Sequence, residues 1–246
     1  MTTRPLPPLP PPALRFGGVL HQIAAAYGQP IFDAETWSTL LGDNPAAEAF
    51  TAQLCHEWPE LPPPTPLCEA MVACVKTFIK SGGGLAWPNL WAHSLRVAGN
   101  AYRIAAGAGI APEEGYLLGI LHDSCKLEEE RTGVSHELAG ALMARKWLQE
   151  YNAPRPMIER IAGAISKRTA AHNGHLRLLR DSDKLDKIGA AGIVRRVTTA
   201  WGSASPESAL KHVAFELDNL PVPNFQFSRE MSANKAAFTR AFMAAL

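Results

Sequence analysis

From Pro88 onward the apolar residues recur every three or four positions rather than every second one, in segments of 12 to 18 residues separated by Gly, Pro and Asn. That period lines apolar side chains along one face of an α-helix, whereas in a strand it would scatter them over both faces. In the first segment Leu90, His93, Val97, Ala101 and Ile104 fall on one stripe, which ends among glycines. The next opens at Pro112, whose fixed φ suits a first helical turn, and places Glu113 and Glu114 where the helix dipole favours negative charge. It runs through an apolar stretch straight into His122-Asp123. Two more stripes follow, one through His136, Gly140, Met143 and Trp147, the other through Ile158, Ile161, Ile165, Arg168 and His172. The segment "DSDKLDKIGAAGIVRRVTTAW" and two further helical pieces complete the chain. Few runs alternate with a period of two and no internal repeat is present, so the expectation is an all-α fold.

Upstream, the pattern is broken by proline. Residues 4–16, "RPLPPLPPPALRF", hold six of the twenty prolines, which favours an extended lead without backbone donors at those positions. A second cluster, "WPELPPPTPL", interrupts the chain at 58–67. Helix-compatible stretches lie between them, and "LCEAMVACVKTFIKSGGG" reads as a helix stopped by glycines. The expected organisation is a Pro-rich flexible lead over 1–17, a helical preface over 18–84 that packs on the main domain, and the main helical domain over 85–246.

With 246 residues and 47% apolar content, one substantial core is within reach. The balance of 24 basic against 23 acidic residues provides no global field for nucleic acid or an anionic membrane, so any phosphate recognition is local. The four cysteines lack C-x-x-C spacing and no secretory h-region precedes them, which argues against a disulfide framework or a zinc ribbon and for a reducing, cytoplasmic setting. No apolar run approaches the roughly 20 residues of a membrane span.

Candidate chemistry begins with histidine. A single histidine on an apolar stripe is usually a satisfied core residue, but His93, His122, His136 and His172 each lie on the inward stripe of a different predicted helix. Buried imidazoles and carboxylates need partners, and one metal ion partners several at once. Imidazole nitrogen with carboxylate oxygen suits Mn, Fe, Co, Ni or Zn better than calcium, and the lack of thiolates argues against a structural zinc site. Acids come late in the chain, as Asp181, Asp183 and Asp186, and the flanking leucines and "IGAAGI" favour inward use of at least one of them.

The ordered set "WAHSLRVAGNAYRIA", "LLGILHDSCK" and "LRDSDKLDKIGAAGIVRR" resembles the HD-domain superfamily of metal-dependent phosphohydrolases, over about residues 88–200. The resemblance implies a compact helical HD-domain bundle preceded by the helical extension and the Pro-rich lead. It implies that His93, His122, Asp123 and Asp183 bind a first divalent metal, with Asp183 preferred to Asp181 because it directly precedes the Lys184, Leu185, Asp186 step. His136 and His172 match extra histidines of the two-metal branches, although the 14-residue interval from His122 to His136 is short for them. One or two ions per chain are therefore expected. Lys126 stands in place of a lysine that commonly follows the doublet, on the face of Asp123 if the helix persists. With Arg96 and Arg168 it would bind and stabilise a substrate phosphate, while Asp123 or Asp183 accepts the proton. Cys125 replaces a frequent glycine, a change expected to alter the local turn more than the metal site.

The implied activity is hydrolysis of a phosphomonoester, diphosphate or nucleotide by a metal-activated water. The alternatives are a dinuclear-iron oxygenase of the HD type and a non-catalytic nucleotide-binding signalling module. Expected partners are a small phosphorylated substrate, nucleotides included, and a second copy of the chain, which the preface is as well placed to support as to cap the site. No G-x-x-x-x-G-K-[ST] loop is present, so no motif names a nucleotide.

Overall fold

Thirteen helices make up the regular structure of a computed structural model that describes residues 7–246 apart from 10, 12, 59–60, 83, 85, 168–172 and 200–204. No strand occurs among the described residues, in keeping with the all-α expectation. Part of the Pro-rich lead, together with Arg168 and His172, lies outside them. The chain divides into two units, one formed by Met1–Glu60, Lys184–Pro223 and Arg229–Leu246, the other by Leu61–Asp183 with Asn224–Ser228.

In the first unit, α1 (Gly17–Ala25), α2 (Ala34–Leu41) and α3 (Pro45–Glu57) associate with elements from the far end of the sequence. Phe16, at the end of the Pro-rich lead, is buried against Phe242 with ring centroids 4.7 Å apart, and Phe50 lies 5.5 Å from the same ring. Such tilted aromatic pairs add to the area they bury. At the end of α3 the buried Glu57 carboxylate accepts the Ala190 and Ala191 backbone N–H groups, both at 2.9 Å, and pairs with Lys235 at 2.9 Å. The first amides of α11 (Gly189–Thr199), which have no acceptor within the helix, thereby receive a charged cap deep in the unit. Gly189 permits it, since its φ is +81° and a side chain there would run into the carboxylate.

The second unit is built around α6 (Pro112–Leu121), whose residues 114–121 are all buried. A helix apolar on every side belongs in the middle of a bundle. Its neighbours are α4 (Pro66–Gly82), α5 (Trp87–Gly107) and α9 (Arg155–Ile165). The contact with α5 is backbone to backbone. A Cβ on Gly115 would lie 2.7 Å from the Ala101 carbonyl oxygen, and one on Gly119 would lie 2.7 Å from the Val97 carbonyl carbon and collide with the Ala98 backbone. Gly115 and Gly119 are one turn apart, and they face alanines, so the two helices touch along a strip with nothing larger than a methyl group. Helix α9 carries Ile158, Ile161 and Ile165 of the expected stripe and ends there, and Lys167, at φ +54°, turns the chain left-handed, while Arg168 and His172 of that stripe lie outside the described residues.

One polar knot ties this unit together. Glu114, buried at the start of α6, accepts two hydrogen bonds from Arg160 of α9 at 2.6 and 2.9 Å, and a third from His175 of α10 (Gly174–Leu185) at 2.7 Å. Arg160 holds the Glu114 carboxyl below its usual 4.5, burial opposes this, and His175 reinforces it.

Gly119→Ala should therefore cost about 1–3 kcal/mol in urea unfolding, the usual penalty for overpacking against an unyielding backbone. Glu114 has a depressed folded-state pKa, so its contribution is present above pH 4.5 and fades as pH falls through the lower folded value. Glu114→Gln should lower unfolding stability at neutral pH by about 1–3 kcal/mol and flatten the decline of stability below pH 4.5, both read from denaturant titrations at several pH values.

Candidate metal centre

His93 is buried on α5 and His122 follows the last residue of α6, so the tight helix crossing brings their rings to 5.2 Å between centroids. The α6 helix does not persist through the doublet. Residues 122–125 form a turn, with Ser124 N–H bonded to the Leu121 carbonyl at 3.2 Å and Lys126 N–H to the Asp123 carbonyl at 3.0 Å, and α7 (Lys126–Thr132) begins afresh. Within a regular helix neighbouring side chains diverge by about 100°. In the turn, His122 Nε2 and Asp123 Oδ2 are 3.5 Å apart. Cys125 has φ −99° and ψ 14°, which any L-residue adopts, so its replacement of glycine strains nothing.

The donors converge. His93 Nε2 is 3.7 Å from Asp123 Oδ2 and 3.5 Å from Asp183 Oδ1 on α10. Candidate ligand atoms of His93, His122 and Asp123 all lie within 4.8 Å of one another. His122 Nδ1 donates to the Gly119 carbonyl at 2.7 Å, an oxygen that can only accept, which leaves the Nε2 lone pair facing inward. That Nε2 is buried and has no hydrogen-bond partner. Burial pushes the His122 imidazole pKa down. Burial alone would raise Asp123, but His122 and His93 outweigh it and hold the carboxyl well below the usual range. A neutral imidazole and an ionised carboxylate are the forms that bind metal. An orphaned imidazole nitrogen, a second imidazole and two carboxylates fit a divalent transition metal.

The three late acids separate by their partners. Asp181 accepts from the Asn224 backbone at 2.8 Å, the Asn224 side chain at 2.7 Å and the Phe225 backbone at 3.1 Å, so it fastens a turn. Asp186 is fully buried with Arg195 as its ion partner at 3.8 Å. Asp183 is the acid that reaches His93.

On the other side of Asp123, Oδ1 faces His136 Nε2 at 3.5 Å, and His136 is the first residue of α8 (His136–Glu150). Lys126 Nζ lies 3.3 Å from His136 Nδ1 and 3.1 Å from Glu129 Oε2. Arg96 is buried on α5. Two acids went unnoticed in the sequence. Glu129 bonds His136 Nδ1 at 2.6 Å, and Glu137 bonds Lys167 at 2.6 Å, an interaction that with Ser135 draws its pKa to about 2. In the sequence Glu129 sits in a run of three acids that reads as a solvated face, and only its spacing of three from Lys126 hinted at pairing.

An HD domain family model matches residues 90–218, more than half of the 246-residue chain, and the chain belongs to that family. None of the curated proteins matches it. Among solved structures, Bacillus subtilis YpgQ is 19% identical with a TM-score of 0.53, covering 70% of this chain and 91% of YpgQ. YpgQ in complex with ADP is 20% identical at the same coverage and TM-score. Lin1889 from Listeria innocua is 19% identical with a TM-score of 0.50, covering 72% of this chain and 94% of Lin1889. These likenesses are likenesses of fold. No helix among the described residues is long and apolar enough to cross a membrane.

Asp183→Asn should weaken cobalt or manganese binding at least about tenfold in calorimetric titration. Asp181→Asn should leave metal affinity unchanged and lower unfolding stability by about 1–3 kcal/mol, the cost of unsatisfied buried amides.

Proposed function

We propose that this chain is a metal-dependent phosphohydrolase acting on a phosphomonoester, diphosphate or nucleotide, with His93, His122, Asp123 and Asp183 holding one divalent ion. The carrying observation is the buried, unpartnered His122 Nε2 beside His93 and two carboxylates. Membership in the HD domain family supports a metal-dependent hydrolase. A divalent ion held by these residues would supply Lewis acidity toward a phosphoryl oxygen and would lower the pKa of a water, so that hydroxide forms near neutral pH.

The remaining roles belong to the chain. Asp123 is the more buried acid, 15% exposed, and its two oxygens face three imidazoles. Asp183 is 28% exposed and is the better placed to take the proton from the attacking water. Lys126 is 45% exposed with its ammonium beside His136, where it would stabilise charge on the phosphoryl group. The same ammonium favours a single ion over two, because it already brings a positive charge to the ring that would ligate the second. Arg96 and Arg168 remain candidates for phosphate contact, and a homodimer remains compatible with the fold.

The test is a chelator-stripped chain resupplied separately with Mn, Fe, Co, Ni and Zn, assayed for phosphate release from phosphomonoesters and nucleotides. ADP heads the panel because YpgQ, which shares the fold, is known in complex with it. Metal-dependent release with one ion per chain is the expected result. Two irons per chain with oxygen-dependent turnover would move the assignment to an oxygenase. Nucleotide binding with release at background under every metal would move it to a signalling module.

A further inference from the structure

His136 is held from both sides by carboxylates, and the contacts differ in kind. Glu129 Oε2 is 2.6 Å from Nδ1, whereas Asp123 Oδ1 and Glu137 Oε1 are 3.5 and 3.9 Å from Nε2. A carboxylate only accepts, so the short contact puts the ring proton on Nδ1, donating to Glu129. An ammonium only donates, so Lys126 and His136 Nδ1 both give hydrogen bonds to the same Glu129 oxygen, and their 3.3 Å separation is the result of sharing it. The backbone makes this convergence possible. Gly133, at φ +70°, ends α7 and reverses the chain, so that Glu129 and His136, seven positions apart, meet.

With Nδ1–H given to Glu129, the Nε2 edge of the ring is turned toward Asp123 Oδ1 at 3.5 Å and Glu137 Oε1 at 3.9 Å. Without Glu129 the carboxylates beside the ring are those on its Nε2 side, Asp123 and Glu137, which draw the ring proton there.

We infer that Glu129 is a positioning residue, which holds the His136 ring by its Nδ1–H and anchors Lys126 by the same oxygen, so that the Nε2 edge of the ring stays turned toward Asp123. The role in turnover rests on the phosphohydrolase reading, while the tautomer does not.

Long-range proton–nitrogen NMR on the zinc-loaded full chain labelled with nitrogen-15 histidine reads the tautomer directly. The wild type should carry the His136 proton on Nδ1, Glu129→Ala should move it to Nε2, and Glu129→Gln, whose amide oxygen still accepts, should restore it to Nδ1. In phosphoester hydrolysis Glu129→Ala should lower kcat about 10–100-fold, Glu129→Gln should lower it less, and the Ala effect should shrink in a His136→Ala background. Persistence of the Nδ1 proton in Glu129→Ala, or full additivity with His136→Ala, overturns the inference. If the wild type hydrolyses no phosphoester while the tautomer responds as expected, the functional reading falls and the positioning of His136 stands.

Discussion

The close crossing of α5 and α6 is the constraint on which the candidate centre depends. Side chains normally keep packed helices about 8–10 Å apart. At Gly115 and Gly119 there are none, and Ala98 and Ala101 offer only methyl groups in return. The helices approach until backbone meets backbone, which brings His93 on one and His122 at the end of the other to facing, buried positions. A wider crossing would leave the two imidazoles unable to share one partner. The glycines therefore act on the site through the distance between the helices that carry the ligands.

Around that crossing the polar groups form a graded series. Far from the centre, Glu114 is fully engaged by Arg160 and His175 and serves to lash α6, α9 and α10 together. Asp181 is likewise occupied with the Asn224 turn. At the centre, His93, His122, Asp123 and Asp183 stand 3.5–3.7 Å from one another in three facing pairs, a convergence suited to a shared cation. Toward solvent, Lys126, Glu129, Glu137 and Lys167 pair off again around His136. Polar groups that pair off in twos and threes hold the fold, and the four that converge from different elements are the ones placed to share a metal.

Much of this was legible before any coordinates. A 3.6-residue period survives single substitutions and reports burial directly, which is why α5, α6 and α8 begin close to where Pro, Gly and the apolar stripes put them. The His122-Asp123 doublet was visible because a polar pair after an apolar run is costly unless something binds it. The choice among Asp181, Asp183 and Asp186 followed from resemblance alone. Their helical positions differ by only a few residues, and what separates them is which neighbour each one meets.

Local order along the chain thus determined the helices, their apolar faces and the inward place of His93, His122 and His136, since these depend on residues three and four apart. Tertiary structure alone decided that segments on either side of the central helices join in one unit, and that the helix breaks at His122. It alone brought Glu129 across to His136 and allowed two glycines to set the spacing of the ligand-bearing helices. Those outcomes rest on contacts between residues distant in sequence or on backbone turns of a few degrees of freedom, and neither leaves a periodic trace in the order of amino acids.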